Sequence, residues 1–158
     1  MPTAQQATYF KEQIIRPTLK TLGLWSAAAE ELLLGTALQE SGLTHRVQLG
    51  GGPARGLFQM EPATHNDIWN NYLKYHKTLA TLVKNLKSTA TADGVLELRN
   101  NDRYAAAMAR VHYKRAPAPL PPVGDIQAMA AYWKRYYNTI HGAGTVAQYL
   151  HSWNAVFT

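Results

Sequence analysis

Glu40 stands where a carboxyl group is hard to justify by folding alone. It closes the stretch LLLGTALQE, Leu32 to Glu40. Seven residues nearly complete two helical turns, so on a helix it shares a partly apolar face with Leu33, Thr36 and Ala37. It also lies in the last turn before Gly42, where the negative end of the helix dipole opposes a carboxylate by about 0.3–1 kcal/mol. Burial and dipole both favour the protonated form. A general acid needs that form near neutral pH to protonate a poor alkoxide leaving group.

Other chemistries are absent from the residue inventory. The chain has no cysteine, which removes disulfides, thiolate nucleophiles and cysteine-based zinc sites. None of its six histidines has HExxH spacing, and GGGPARG, Gly50 to Gly56, lacks the Lys-Ser/Thr pair of a phosphate loop. Gly142, Gly144 and Ala147 match the GxGxxA form of a dinucleotide fingerprint, but a helical pattern rather than a strand precedes them, so they read as a turn between helices. Neither a metal nor a cofactor is expected.

The elements that must position Glu40 are helical. Helical periodicity recurs along the 158 residues, strand-like alternation is scarce, and the length suits a single domain over 1–158. A first helix is expected from Ala4 to Ile15, broken by Pro17. Ser26 is placed to cap a helix over Ala27–Ser41 that Gly42 ends. The stretch Thr44 to Gly56, with three adjacent glycines and a proline, reads as an irregular loop, expected to be more mobile than the helices around it. Pro62 suits a first helical position, and Thr64 with Asp67 has capping-box spacing. Asp93, Asn101 or Asp102, Asp125 and Thr145 are candidate caps for later helices, and APAPLPP, Ala116 to Pro122, is a stiff connector. The aromatic and basic run Tyr132 to Tyr137 reads as half core and half solvated face.

The order LLLGTALQESG, then a glycine-rich loop, then GLFQMEPATH, Gly56 to His65, resembles the lysozyme-like superfamily of lytic transglycosylases and goose-type lysozymes. There an apolar helix ends in Glu-Ser and a Gly-Leu-x-Gln segment follows. The resemblance implies a mainly α, lysozyme-like fold, with a helical body and a small loop-rich lobe around residues 43 to 62 bordering a glycan cleft. It implies that Glu40 is the acid that cleaves the β-1,4 bond between N-acetylmuramic acid and N-acetylglucosamine in peptidoglycan. Ser41 would support Glu40 or the substrate, Gly56 and Leu57 would shape the cleft floor, and Gln59 would hydrogen-bond the glycan or the acid.

Glu61, followed by Thr64 and His65, is similar to the goose-type pattern of a carboxylate and a Ser-His pair. A carboxylate there activates water, or else Glu61 only caps the helix at Pro62. The resemblance also implies a tyrosine in an Ala-Tyr-Asn segment of a late helix. The nearest stretch is AAMARVHYKR, Ala106 to Arg115, which leaves Tyr113 or Arg110 for that place. The rival readings are a lytic transglycosylase leaving 1,6-anhydro ends, an inactive virion or wall-binding module, and a helical nucleic-acid binder.

Sixteen Lys and Arg against ten Asp and Glu give a net charge of +6 and an isoelectric point near 9.6, which suits an anionic cell wall. The nucleic-acid reading has no support beyond that charge and the aromatics, so no specific nucleic acid is expected as partner. Apolar runs fall far short of the roughly 20 residues that span a bilayer, and no charged-then-apolar leader opens the chain, so neither an integral membrane segment nor a Sec signal is expected. Such a chain is similar to phage cell-wall enzymes, made in the host cytoplasm and acting after lysis or from the virion, with virion proteins as further partners.

Overall fold

The computed structural model describes residues 1–139 and 142–158. Its most apolar segment lies at its centre. Helix α3, Ala27–Glu40, starts at Ser26, whose hydroxyl accepts from the Ala29 amide at 3.0 Å. Residues Leu32 through Leu38 are all buried. A helix apolar on every side needs neighbours on every side. Helices α7 (Asp102–Lys114), α8 (Ile126–Trp133) and α9 (Val146–Phe157) supply them, with the segment Lys11–Ile15. Close approach is possible because small residues stand at the contacts. A Cβ on Gly35 would lie 2.0 Å from the Tyr149 hydroxyl oxygen of α9, and α7 contributes buried Ala105, Ala106, Ala107 and Ala109.

Pro17 does not break the first helix. Helices α1 (Ala4–Phe10) and α2 (Arg16–Thr21) are joined by a π-helical turn, Lys11–Ile15, with the Arg16 amide bonded to the Lys11 carbonyl. Proline cannot donate to the carbonyl four residues before it and its ring crowds that carbonyl. The wider π turn absorbs the crowding. The guanidinium of Arg103 then donates to the Gln13 carbonyl at 3.2 Å, supplying the hydrogen bond that Pro17 cannot.

Helices α4 (Pro62–Asn71), α5 (Lys77–Lys84) and α6 (Gly94–Asn100), with a short 3-10 turn at Leu73–Tyr75, complete the body. Asp93, Asn101, Asp125 and Thr145 cap the helices that follow them, as their positions predict. The Thr64–Asp67 capping box does not form. Helix α4 begins one turn's width earlier, at Pro62 after Glu61, and Asp67 instead accepts from Asn71 and pairs with Arg115 at 2.7 Å. Among the described residues there is no strand, only isolated bridges at Val47–Arg55 and Arg55–Met60, and no helix is long and apolar enough to cross a membrane.

Candidate active site

Helix α3 delivers Glu40 to the floor of an open cavity of about 620 Å³, within the range of ligand-binding clefts. The helix stops there because Gly42, at φ +61°, takes the left-handed position and donates to the Ala37 and Leu38 carbonyls at 3.1 and 3.0 Å. That closure satisfies the helix end without a cation. The Glu40 carboxyl is partly buried and pushed up to about 7, with burial the dominant cause. The buried indole N–H of Trp133 draws it slightly down, although that contact falls short of hydrogen-bond geometry.

Glu61, exposed at the start of α4, lines the same cavity. Its side chain makes no cap hydrogen bond, so it is free to face the space that Glu40 faces. Gln59 is the third expected residue on this wall. It holds φ +48° and its side-chain Nε2 donates to the Gly56 carbonyl at 2.9 Å. The loop between the two carboxylates contributes His45, Gln48, Leu49 and Ala54. The loop is tied into a turn by the Gln48 amide to Ala54 and the Gly56 amide to Arg46, at 3.1 and 2.8 Å.

The remaining sequence candidates lie behind the cavity rather than in it. Ser41 is 3% exposed; its Oγ lies 2.6 Å from the Leu57 carbonyl, to which it donates, and accepts from the Leu43 amide at 3.1 Å. Ser41 therefore ties the end of α3 to the Gly-Leu-Phe-Gln turn and does not reach a substrate. Replacing it with alanine leaves the Leu57 carbonyl unpaired, and we expect a loss of about 1–3 kcal/mol in urea unfolding with KM unchanged. Gly56 is glycine because a Cβ would sit 2.0 Å from the Leu98 carbonyl, not because a ligand passes close to it. Leu57 belongs to the hydrophobic core.

His65 is also structural. Its Nε2 lies 2.7 Å from the Tyr104 hydroxyl and its Nδ1 3.0 Å from Asn66 Oδ1, while the Trp69 indole donates to Tyr104 at 2.9 Å. The network places the proton on Nδ1, and burial holds the imidazole below its ordinary pKa. Tyr113 is 1% exposed and shares a 2.7 Å hydrogen bond with Thr36 on α3. It forms part of the packing beneath Glu40, and burial is the main cause that raises its pKa well above the usual phenol value.

The tyrosine that lines the cavity is Tyr137, followed by Asn138, Thr139 and, beyond residues 140 and 141, Gly142 to Gly144. Tyr137 belongs to a π-helical turn, Lys134–Asn138, that extends α8. Its hydroxyl donates to the Phe58 carbonyl at 2.6 Å, which fixes the ring. Lys134 reaches Asn138 Oδ1 and the carbonyls of Gly142 and Gly144 at 2.8, 2.9 and 2.7 Å, fastening this rim of the cavity. The aromatic run Tyr132 to Tyr137 therefore does more than fill core and solvated face, and the tyrosine at the cavity comes one helix later than the Ala106–Arg115 stretch.

No motif or spacing in the sequence marks His112 as a site residue. It lines the cavity and packs edge-on to Tyr137, with ring centroids 5.2 Å apart. Its Nδ1 is buried without a partner. Burial is the main cause that pushes it down to about 4, so it is a neutral imidazole near pH 7. The result is a carboxyl raised to about 7, an exposed glutamate and hydrogen-bonding groups around one cavity, an arrangement suited to acid-assisted cleavage of a bond with an alkoxide leaving group. Among the described residues, no group of three or more His, Asp or Glu is placed to hold a metal ion. Comparison with family models, with curated proteins and with solved structures finds no match.

Proposed function

We propose that this protein is a muramidase that cleaves the β-1,4 bond between N-acetylmuramic acid and N-acetylglucosamine in peptidoglycan, on a lysozyme-like helical fold with a glycan cleft. The observation that carries the reading is Glu40, its carboxyl raised to about 7 at the floor of a cavity whose rim also holds Glu61. Glu40 protonates the glycosidic oxygen as the bond to the anomeric carbon breaks. Glu61 takes a proton from the water that attacks that carbon. Gln59, Asn138 and His112 offer neutral hydrogen-bonding groups to the sugars' hydroxyl and acetamido substituents. The Tyr137–Asn138 pair lines the same cavity as Glu40 and supplies two of the three residues of the Ala-Tyr-Asn segment that the family resemblance implies, with Tyr136 where alanine would stand.

A carboxylate pair that inverts the anomeric centre stands about 6.5–9.5 Å apart, leaving room for water. Glu61→Gln is then expected to abolish reducing-end products from purified sacculi while 1,6-anhydro ends remain possible, because Glu40 still protonates the leaving group and the substrate's acetamido group can assist. Mass spectrometry of the released muropeptides reads both. Wild-type protein that yields only anhydro ends identifies a lytic transglycosylase, and wild-type protein that releases nothing identifies a module without activity.

A further inference from the structure

The open space at Glu40 does not end at the acid. Gln39, the residue before it on α3, lines that cavity and also a second open groove of about 420 Å³ between the end of α3 and α9. On the other side, Gly144 belongs to the first cavity and Ala147, three residues on in the first turn of α9, belongs to the second. Two separate segments of the chain therefore pass from one space into the other, and the spaces meet over the Gln39 side chain. Gln148, His151 and Ser152 complete the groove, and among the described residues no lysine, arginine, aspartate or glutamate lines it.

The fold has already used one end of each glutamine. Gln148 is the third residue of the α9 capping box, and its Oε1 accepts from the Thr145 amide at 2.9 Å. A backbone amide only donates, so the other end of that side chain is the NH2 group. Gln39 Oε1 accepts from Ser152 Oγ at 2.7 Å, which ties α3 to α9 and sets Gln39 across the passage between the two spaces. Among the described residues no protein group accepts from either Nε2. Gln148 is exposed, and Gln39 Nε2 is not a buried orphan, so both amino groups can be reached from outside. The groove thus presents two pairs of N–H donors without a formal charge. An anionic ligand would find no cation there, and an apolar one would strip water from the donors without replacing it. An N-acetylated sugar ring is uncharged and carries acceptor oxygens on its hydroxyl and acetamido groups, which matches the donors.

We propose that the strand cut at Glu40 continues over Gln39 and that the α3–α9 groove holds a further N-acetylated sugar of it, with the amino groups of Gln39 and Gln148 donating to its hydroxyl or acetamido oxygens. This site rests on the glycan reading of the Glu40 cavity. It makes affinity depend on strand length, because a ligand short enough to stay within that cavity does not reach α9.

The test uses peptide-free cell-wall glycan as the disaccharide and as the octasaccharide, titrated into the full Glu40→Gln chain, in which the acid is absent, and followed by NMR. The octasaccharide is expected to bind more tightly and to shift the side-chain amide of Gln148 and the backbone amide of Ala147, which the disaccharide leaves unmoved. Gln148→Glu, added to that chain, keeps the capping box, since glutamate serves at the same position, but removes the amino group. It should weaken the octasaccharide by about threefold to tenfold, the scale of one hydrogen bond, and leave the disaccharide unchanged. Ala147→Trp, at an exposed position, fills the groove and should do the same. Octasaccharide shifts confined to the Glu40 cavity, or octasaccharide affinity unchanged in both variants, would overturn the further sugar site while leaving the glycan reading in place. Failure of both lengths to bind would overturn the glycan reading and this site with it.

Discussion

Glu40→Gln is expected to lower glycan cleavage by about 10²–10⁴-fold, because the substitution keeps the shape of the side chain and removes the proton that the leaving group needs. Turnover of purified sacculi at pH 6 measures it, and near-wild-type turnover refutes the assignment. Wild-type activity should itself fall as pH rises through about 7, where the raised carboxyl loses its proton. The same shift acts on stability. The free carboxyl titrates at 4.5 and the folded one at about 7, so between those values the folded chain binds the extra proton. The resulting stability is fully present below pH 4.5 and is lost as pH rises through the folded pKa. Glutamine undergoes no such loss. The variant should match wild type near pH 4 and exceed it by about 3 kcal/mol well above pH 7, measured by urea unfolding across that range. An active-site acid therefore differs from a structural glutamate in two directions at once, with activity falling and stability rising on replacement.

Gly56→Ala is the second large effect, and it is expected in stability rather than in substrate affinity. The residue holds φ +80° and its added Cβ would meet a backbone carbonyl, Leu98 O, at 2.0 Å. A left-handed non-glycine residue contributes about 1–2 kcal/mol of strain, and overpacking against backbone that cannot rotate away adds about 1–3 kcal/mol. A combined loss of about 2–5 kcal/mol should appear in the thermal or urea transition, and cleavage per folded molecule should keep its KM. A raised KM with unchanged stability would return Gly56 to the cleft floor and overturn the packing account. Gly50 and Gly51 are a different case, since both have φ near +85° with open space around them, so alanine there brings backbone strain without a clash.

The amino-acid sequence by itself determined the helical class and most helix starts, and it marked Glu40 as a carboxyl held above its ordinary pKa. Those features rest on local physics. A serine, aspartate or asparagine hydroxyl, carboxyl or amide finds the free amides of the turn beside it, as at Ser26, Asp93, Asn101 and Asp125, whatever the rest of the chain does. Glu40 was legible for the same reason, since burial of α3 and the helix end both follow from a run of residues adjacent to it. Pro17 and the Thr64–Asp67 pair show where local rules lose to tertiary partners, with Arg103 relieving the first and Arg115 claiming the second.

Only the tertiary structure decided which neighbours of Glu40 in sequence are its neighbours across the cavity. Ser41, Gly56, Leu57, His65 and Tyr113 share its motif or its packing but do not line the space it faces: Leu57 belongs to the core and its carbonyl holds Ser41, Leu98 lies against Gly56, Tyr104 holds His65 and Thr36 holds Tyr113. His112 and Tyr137 arrive instead, 72 and 97 positions downstream of Glu40 by their residue numbers. Spacing along a chain encodes the face of a helix, with a period near 3.6 residues. It does not encode which face of another helix will pack there, and that choice set the cavity wall.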